Sequence, residues 1–218
     1  MKITKFPQSC LLIESEGKKI LVDPGNLKYK DEYFDIWNSV DVILITHKHP
    51  DHCNVEVLEK LNKDISIYST KEVADTYTGL NINIVKDDDV LEFGNVKVEV
   101  VHAVHGYQPL LRGDKEIHEN VGYIIDDGET RLYTTSDTIC FKNDYKVDIL
   151  CVPVTGHGVT MSAFEAALYA KEVGAVLTIP IHMDNPMFPP DFEFIEKMFG
   201  KYEVEYEILE NGESIEIE

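Results

Sequence analysis

Four residues able to hold a metal ion crowd into six positions of the segment ILITHKHPDHCN: His47, His49, Asp51 and His52. Neutral imidazole nitrogens and carboxylate oxygens are the donors a divalent transition metal prefers, at about 2.0–2.2 Å for zinc. His47 and His49 stand two apart, so an extended backbone points both the same way and lets them share an ion. Asp51 and His52 follow Pro50, where the chain turns toward a helix, which aims them at a second position nearby. One short segment can thus serve two adjacent ions. A lone HxH is commonly a pair of solvated loop histidines; four donors in six positions behind an apolar run are not accounted for that way.

The elements that must position these side chains are legible around them. Residues 10–23 (CLLIESEGKKILVD) read as two strands about a tight turn at Glu16-Gly17, and residues 41–46 (DVILIT) as a strand buried on both faces. Helical spacing follows over 54–61, with Asn54 as N-cap. Residues 96–105 (VKVEVVHAVH) alternate like a strand and run apolar toward a histidine. The second half repeats the plan. A hairpin over 121–137 turns at Asp126-Asp127-Gly128 and again ends in an aspartate, and 148–154 (DILCVPV) parallels 41–46. The helix that follows has a capping box, Ser162 with Glu165, and Gly174 as its stop. Residues 175–182 (AVLTIPIH) make one more buried strand. The two halves read as related β-rich units with helices outside. Asp23, the 47–52 cluster, His105, Asp137, His157 and His182 all fall at strand ends, where layered folds build their sites.

Composition bounds what such a site can serve. At 218 residues, with 44% hydrophobic and 10% aromatic content, the chain reads as one continuous globular domain over 1–218. Its formal charge of −20 repels phosphate backbones and anionic lipid, which excludes nucleic acid as a partner. It does not exclude a small anionic substrate, because bound cations reverse the local field. No run approaches the roughly 20 apolar residues that span a bilayer, so no membrane insertion is expected. Neither a leader-like apolar stretch nor a CxxC pair is present, and the four scattered cysteines read as free thiols in a reducing cytoplasm. A homo-oligomer is compatible with all of this.

With these residues in view the chain resembles the metallo-β-lactamase superfamily. THKHPDH matches its HxHxDH signature; ILVDPG, VHAVHG, TTSDT and IPIHMDNP resemble its further segments in order. The wording PVTGHGVTMSAFEAALYAKEVGA looks like the small bacterial branch related to ascorbate-6-phosphate lactonase and the phospholipase-D-type N-acylethanolamine hydrolases. The likeness covers about residues 3–185. It implies an αββα sandwich of two mixed β-sheets with outer helices. It also implies that His47, His49 and His105 bind a first metal, that Asp51, His52 and His182 bind a second, and that Asp137 bridges them. Two Zn2+ ions are expected, Mn2+ or Fe2+ being alternatives the donors tolerate. Asp23 would steady a ligand histidine by hydrogen bonding. His102 competes with His105, but His105 precedes a glycine as the family's ligand does; His102 reads as a packed or supporting histidine and His118 as solvated. Ser136 stands where related sequences have glycine.

The implied reaction is hydrolysis: a hydroxide bridging two metals attacks a small anionic ester, lactone or phosphodiester, with Asp51 orienting it and accepting its proton. No GxSxG elbow surrounds Ser136, and nothing marks Cys53 as activated. His157, between two glycines in TGHG, is expected to contact the substrate or protonate the leaving group. Three loops should rim the site. Residues 25–38 bring Tyr29, Tyr33, Phe34 and Trp37; residues 106–120 bring Tyr107, Arg112 and Lys115; residues 183–191 bring Met187 and Phe188. Tyr107 and Arg112 are the expected substrate contacts, Arg112 holding an anion. The alternative is a non-catalytic metal-binding or regulatory protein that keeps the fold.

Overall fold

The computed structural model describes residues 1–217 of the chain. A first sheet takes β1 (Lys2–Lys5), β2 (Leu11–Ser15), β3 (Lys18–Val22), β4 (Val42–Leu44), β5 (Ser66–Ser69) and β6 (Ile82–Ile84). A second takes β7 (Val90–Phe93), β8 (Val96–His102), β9 (Val121–Asp126), β10 (Arg131–Thr134), β11 (Ile149–Pro153) and β12 (Leu177–Ile181). The last strand, β13 (Ser214–Glu216), returns to the first sheet and pairs antiparallel with β1. Spatial order is β13-β1-β2-β3-β4-β5-β6 in one sheet and β12-β11-β10-β9-β8-β7 in the other.

Both sheets are mixed, and mixed alike. β2 and β3 form an antiparallel hairpin that β4 and β5 extend in parallel. β9 and β10 form another that β11 and β12 extend in parallel. The plan read twice along the sequence is therefore laid out twice in space. Side chains of a strand alternate between faces, and here both faces are covered. Leu11 and Ile13 of β2 pack between the sheets while Leu12 packs outward. Ile149 and Cys151 of β11 pack between the sheets while Leu150 and Val152 pack outward. Each such aliphatic side chain taken out of water contributes about 1.5–3 kcal/mol.

Helices receive the outward side chains. α1 (Phe34–Trp37), α2 (Val55–Leu58) and α3 (Lys71–Thr76) cover the first sheet; α4 (Ala163–Val173) and α5 (Phe192–Lys201) cover the second. The layers are thus helix, sheet, sheet, helix, as expected. α4 begins on the capping box: the Glu165 N–H donates to Ser162 Oγ, the Ser162 N–H to Glu165 Oε2, and Gly174 ends the helix with φ 78°. α2 departs from expectation. It is a single turn instead of 54–61, and the Asn54 side chain makes no capping bond. Two β-branched valines and an unmade cap leave only the packing of Val57 and Leu58 to hold it. Among the described residues no helix is long and apolar enough to cross a membrane.

Candidate metal centre

The chemically capable residues follow the C-terminal ends of their strands: Asp23 after β3, His47 after β4, His105 after β8, Asp137 after β10, His157 after β11 and His182 after β12. Two glycines let these loops close on one another. A Cβ on Gly25 would overlap the Asp51 carbonyl, and one on Gly106 would overlap the Gly158 carbonyl and Val159 Cα. The Gly106 N–H instead donates to the Val159 carbonyl at 3.0 Å. That close approach is why a small residue follows His105.

His47, His49, His105 and Asp137 each place a donor atom within 4.8 Å of the others, and Asp51, His52 and His182 do the same. Four of the imidazoles are tethered by one nitrogen and offer the other. His47 Nδ1 lies 3.0 Å from Thr46 Oγ1 and 3.3 Å from Ser136 Oγ, while its Nε2 faces His49 Nδ1 at 3.2 Å. His49 Nε2 donates to the Lys115 carbonyl at 2.9 Å. His105 Nδ1 donates to the Gly106 carbonyl at 2.9 Å, and His52 Nδ1 to Asp23 Oδ2 at 2.8 Å. Such outer bonds select the tautomer whose inner nitrogen carries a lone pair. Asp137 sits between the groups, Oδ1 3.3 Å from His52 Nε2 and Oδ2 3.2 Å from His182 Nε2.

His52 Nε2, His105 Nε2 and Asp137 Oδ1 are buried without a hydrogen-bond partner. Each unmet group costs about 1–3 kcal/mol. A divalent cation answers all three, and neutral imidazoles with carboxylates are the donor set it requires. The residues present fit a metal.

Electrostatics divides the donors. Burial, reinforced by His52 and His49, holds His47 well below the ordinary histidine range, and burial pushes His105 down to about 4. Burial opposes a charge on His52 and His182 too, but there carboxylates prevail. Asp137, Asp23 and Asp51 raise His52, and Asp137 with Asp51 push His182 up to about 9. Gln8 Nε2 lies 3.0 Å from the same His182 Nε2, and its N–H can be accepted only by an unprotonated nitrogen. A cation other than a proton satisfies the carboxylates and leaves that lone pair in use. Burial of Asp137, and the half-burial of Asp51, raise their carboxyls, yet the neighbouring histidines hold both below the usual carboxylate range.

Three supporting residues, Thr46, Asn120 and Gln8, were not singled out from the sequence. Thr46 donates its N–H and hydroxyl to Asp23, at 2.8 Å for the N–H. Ser136 Oγ donates to Thr46 Oγ1 at 2.6 Å, and Asn120 Nδ2 to the Asp137 carbonyl at 2.8 Å. Gln8, 0% exposed, meets both Asp51 and His182. Gln8, Asp23, Ser136 and His182 all have left-handed backbone, with φ of 60°, 48°, 60° and 59°.

Beside the donors lies a cavity of about 380 Å³ whose walls include Asp51, Lys115, His157, Asn185 and Phe188. His157 packs against Phe188 with ring centroids 4.2 Å apart and the ring planes tilted by 39°, and neither of its ring nitrogens has a partner. The expected rim is otherwise redrawn. Tyr107 and Arg112 do not line this cavity: Arg112 Nε donates to Tyr107 Oη at 3.3 Å and both are exposed, so Lys115 of the same loop is the cation in the wall. Tyr33 and Trp37 are buried around Phe6, and Tyr29 and Phe34 line a separate groove behind Pro50. Met187 is 72% exposed, outside the wall. His102 supports no donor: it is exposed at the end of β8, pairs with Asp87 at 2.8 Å and packs edge-on against Phe141 with ring centroids 5.4 Å apart. His118 is exposed.

Residues 2–182 match the protein family described as Beta-lactamase superfamily domain. Over 234 residues the chain is 30% identical to a UPF0173 metal-dependent hydrolase of Bacillus cereus (strain B4264), with 99% of each covered. Among solved structures it is similar to a metallo hydrolase of the hyperthermophilic archaeon Ignicoccus hospitalis, with a TM-score of 0.79 at 24% identity over 100% of this chain and 99% of that one. The metallo-β-lactamase fold protein YhfI of Bacillus subtilis superposes with a TM-score of 0.77 at 17% identity, 98% of each being covered. At such identities the structural likeness is one of fold.

Proposed function

The chain belongs to the metallo-β-lactamase superfamily, in the UPF0173 family of metal-dependent hydrolases, and on that premise we propose that it holds two divalent ions and hydrolyses a small anionic ester, lactone or phosphodiester. The observation that carries this reading is the convergence of two donor groups, with Asp137 between them, on the wall of one cavity. His47, His49 and His105 would hold one ion, Asp51, His52 and His182 the other. When bound, the ions would supply Lewis acidity, lowering the pKa of a coordinated water and polarising the substrate oxygen.

The chain's own residues do the rest. Asp51 Oδ2, steadied by Gln8 at 2.9 Å, orients the attacking water and accepts its proton. The unpaired ring nitrogens of His157 supply a hydrogen bond to the substrate, and burial, which lowers its pKa, favours that role over an imidazolium acid. Phe188 and Val159 give the substrate's apolar part a dry surface, and Lys115 meets its charge. Two divalent ions against the carboxylates Asp51 and Asp137 leave the site net cationic within a chain of net charge −20, which supports an anionic substrate. A cavity of this volume suits a small organic molecule. The four cysteines, all unpaired, accord with a cytoplasmic setting.

The resemblance of the TGHG and SAFEAALYA segments to ascorbate-6-phosphate lactonase makes a phosphorylated lactone the first substrate to try. A simple lactone and an aryl phosphodiester complete the panel for metal-loaded protein. We expect turnover of at least one, lowered by at least about 10²-fold in kcat by Asp51→Ala. Silence across the panel, or a fully active Asp51→Ala, overturns the reading.

A further inference from the structure

Gln8 is a buried polar side chain whose contacts extend beyond the one to Asp51. It lies in the turn between β1 and β2, where the Phe6 N–H donates to the Cys10 carbonyl at 2.8 Å. Three hydrogen-bond contacts join it to Asp51 and His182 of the second donor group, and two more to Asp184. Its N–H donates to Asp184 Oδ2 at 2.8 Å, and its carbonyl accepts the His182 N–H at 3.0 Å. Its Oε1 accepts the Asp184 N–H at 2.9 Å, which fixes which end of the carboxamide is oxygen. Nε2 therefore faces inward, 2.9 Å from Asp51 Oδ2 and 3.0 Å from His182 Nε2. Asp184 is itself anchored by Lys5 Nζ at 3.2 Å, Lys28 Nζ at 3.2 Å and Asn211 Nδ2 at 2.8 Å. The carboxamide thus stands on a rigid base.

We infer that Gln8 is a positioning residue for the second ion: its amide holds Asp51 Oδ2 while its carbonyl holds the His182 backbone, so that Asp51 Oδ2 and His182 Nε2 face each other, 3.7 Å apart, before that ion arrives. The inference rests on the two-ion reading above. Asp51 and His182 come from loops of different sheets, so nothing in the backbone alone ties one to the other. Gln8 does not compete as a ligand, because its oxygen is committed to Asp184 and an amide nitrogen has no lone pair to give. A carboxylate oxygen has two lone pairs, so the bond to Asp51 survives ligation, while His182 exchanges its Gln8 contact for the ion. None of the Gln8 hydrogen bonds reaches His47, His49 or His105. Its effect is therefore confined to one of the two sites.

The test is calorimetric titration of metal-free protein with Zn2+, repeated with Co2+ so that ligand-field absorbance reports each site. Gln8→Met keeps length and backbone preference while removing the amide. Loss of an outer partner lowers metal affinity by about 10–100-fold, so the second equivalent should weaken by that factor while the first stays within about threefold. Gln8→Asn keeps an amide in the turn but draws it back one methylene. It guards against failure of the apolar variant to fold, and the same selective loss is expected. Equal weakening of both equivalents marks Gln8 as structural only, and two unaltered equivalents show that it positions nothing; either overturns the inference alone. Uptake of one equivalent by the wild type overturns the two-ion reading and this inference with it.

Discussion

The two groups of donors face one another across Asp137 but are held by different chemistry. His47, His49 and His105 are tethered by neutral partners, the hydroxyls of Thr46 and Ser136 and the carbonyls of Lys115 and Gly106. His52 and His182 stand among the carboxylates of Asp23, Asp51 and Asp137. The same side chain thereby acquires two characters. In the first group burial wins and His105 falls to about 4; in the second the carboxylates win and His182 rises to about 9. His47 and His105 present lone pairs with no proton to displace. The second group holds its geometry without metal by means of charge and of the Gln8 amide.

Asp137→Ala is the change that erases this division, because the Asp137 carboxylate reaches both groups. It should abolish high-affinity uptake of the second equivalent and lower kcat/KM by well over the ~10²-fold typical of an outer partner. Metal content after dialysis and turnover of the responsive substrate check both. Asp23→Asn should act more strongly on the second group. Its carboxylate bonds His52 directly and reaches His47 only through Thr46, so the second equivalent should weaken by about 10–100-fold and the first by less. Equal loss at both sites would break the comparison.

The smallest effect is on stability against pH. His182 has a folded pKa raised above its unfolded value of ~6.5. Its contribution in metal-free protein is full below that value and lost as pH rises through about 9. His105 has a lowered value, so its penalty for folding appears as pH falls from ~6.5 toward about 4. Protein treated with EDTA should therefore lose Tm between pH 6.5 and 9, and a flat Tm across that window contradicts the assignment. Metal-loaded protein, in which His182 carries no proton, should lack that decline.

The metal centre was legible where it is local. HxHxDH lies in consecutive positions, and each remaining donor sits at the end of a strand whose apolar run or alternation announces it. The hairpins at Glu16-Gly17 and Asp127-Gly128 and the capped helix α4 were readable for the same reason. Gln8 was silent because its meaning depends on His182, 174 positions away. Thr46 and Asn120 are common residue types whose partners are set by how the sheets dock. β5, β6 and β7 are three or four residues long with partly exposed faces, too short for a period to establish itself. The aromatic residues of 25–38 were assigned to the rim by type alone, whereas Phe6 draws Tyr33 and Trp37 into the core. Within the loop 106–120, Arg112 and Lys115 differ by three positions, and only the backbone decides which one turns inward.

The left-handed backbone shared by Gln8, Asp23, Ser136 and His182 has a consequence for how this chain evolves. Each such residue costs on the order of 1 kcal/mol or more, against a net stability of roughly 5–15 kcal/mol for a whole domain. Glycine at Gln8, Asp23 or His182 would relax the backbone and remove a side chain that the centre uses. Selection for heat resistance alone would drift toward those glycines, and laboratory evolution under that pressure should trade the centre away one position at a time.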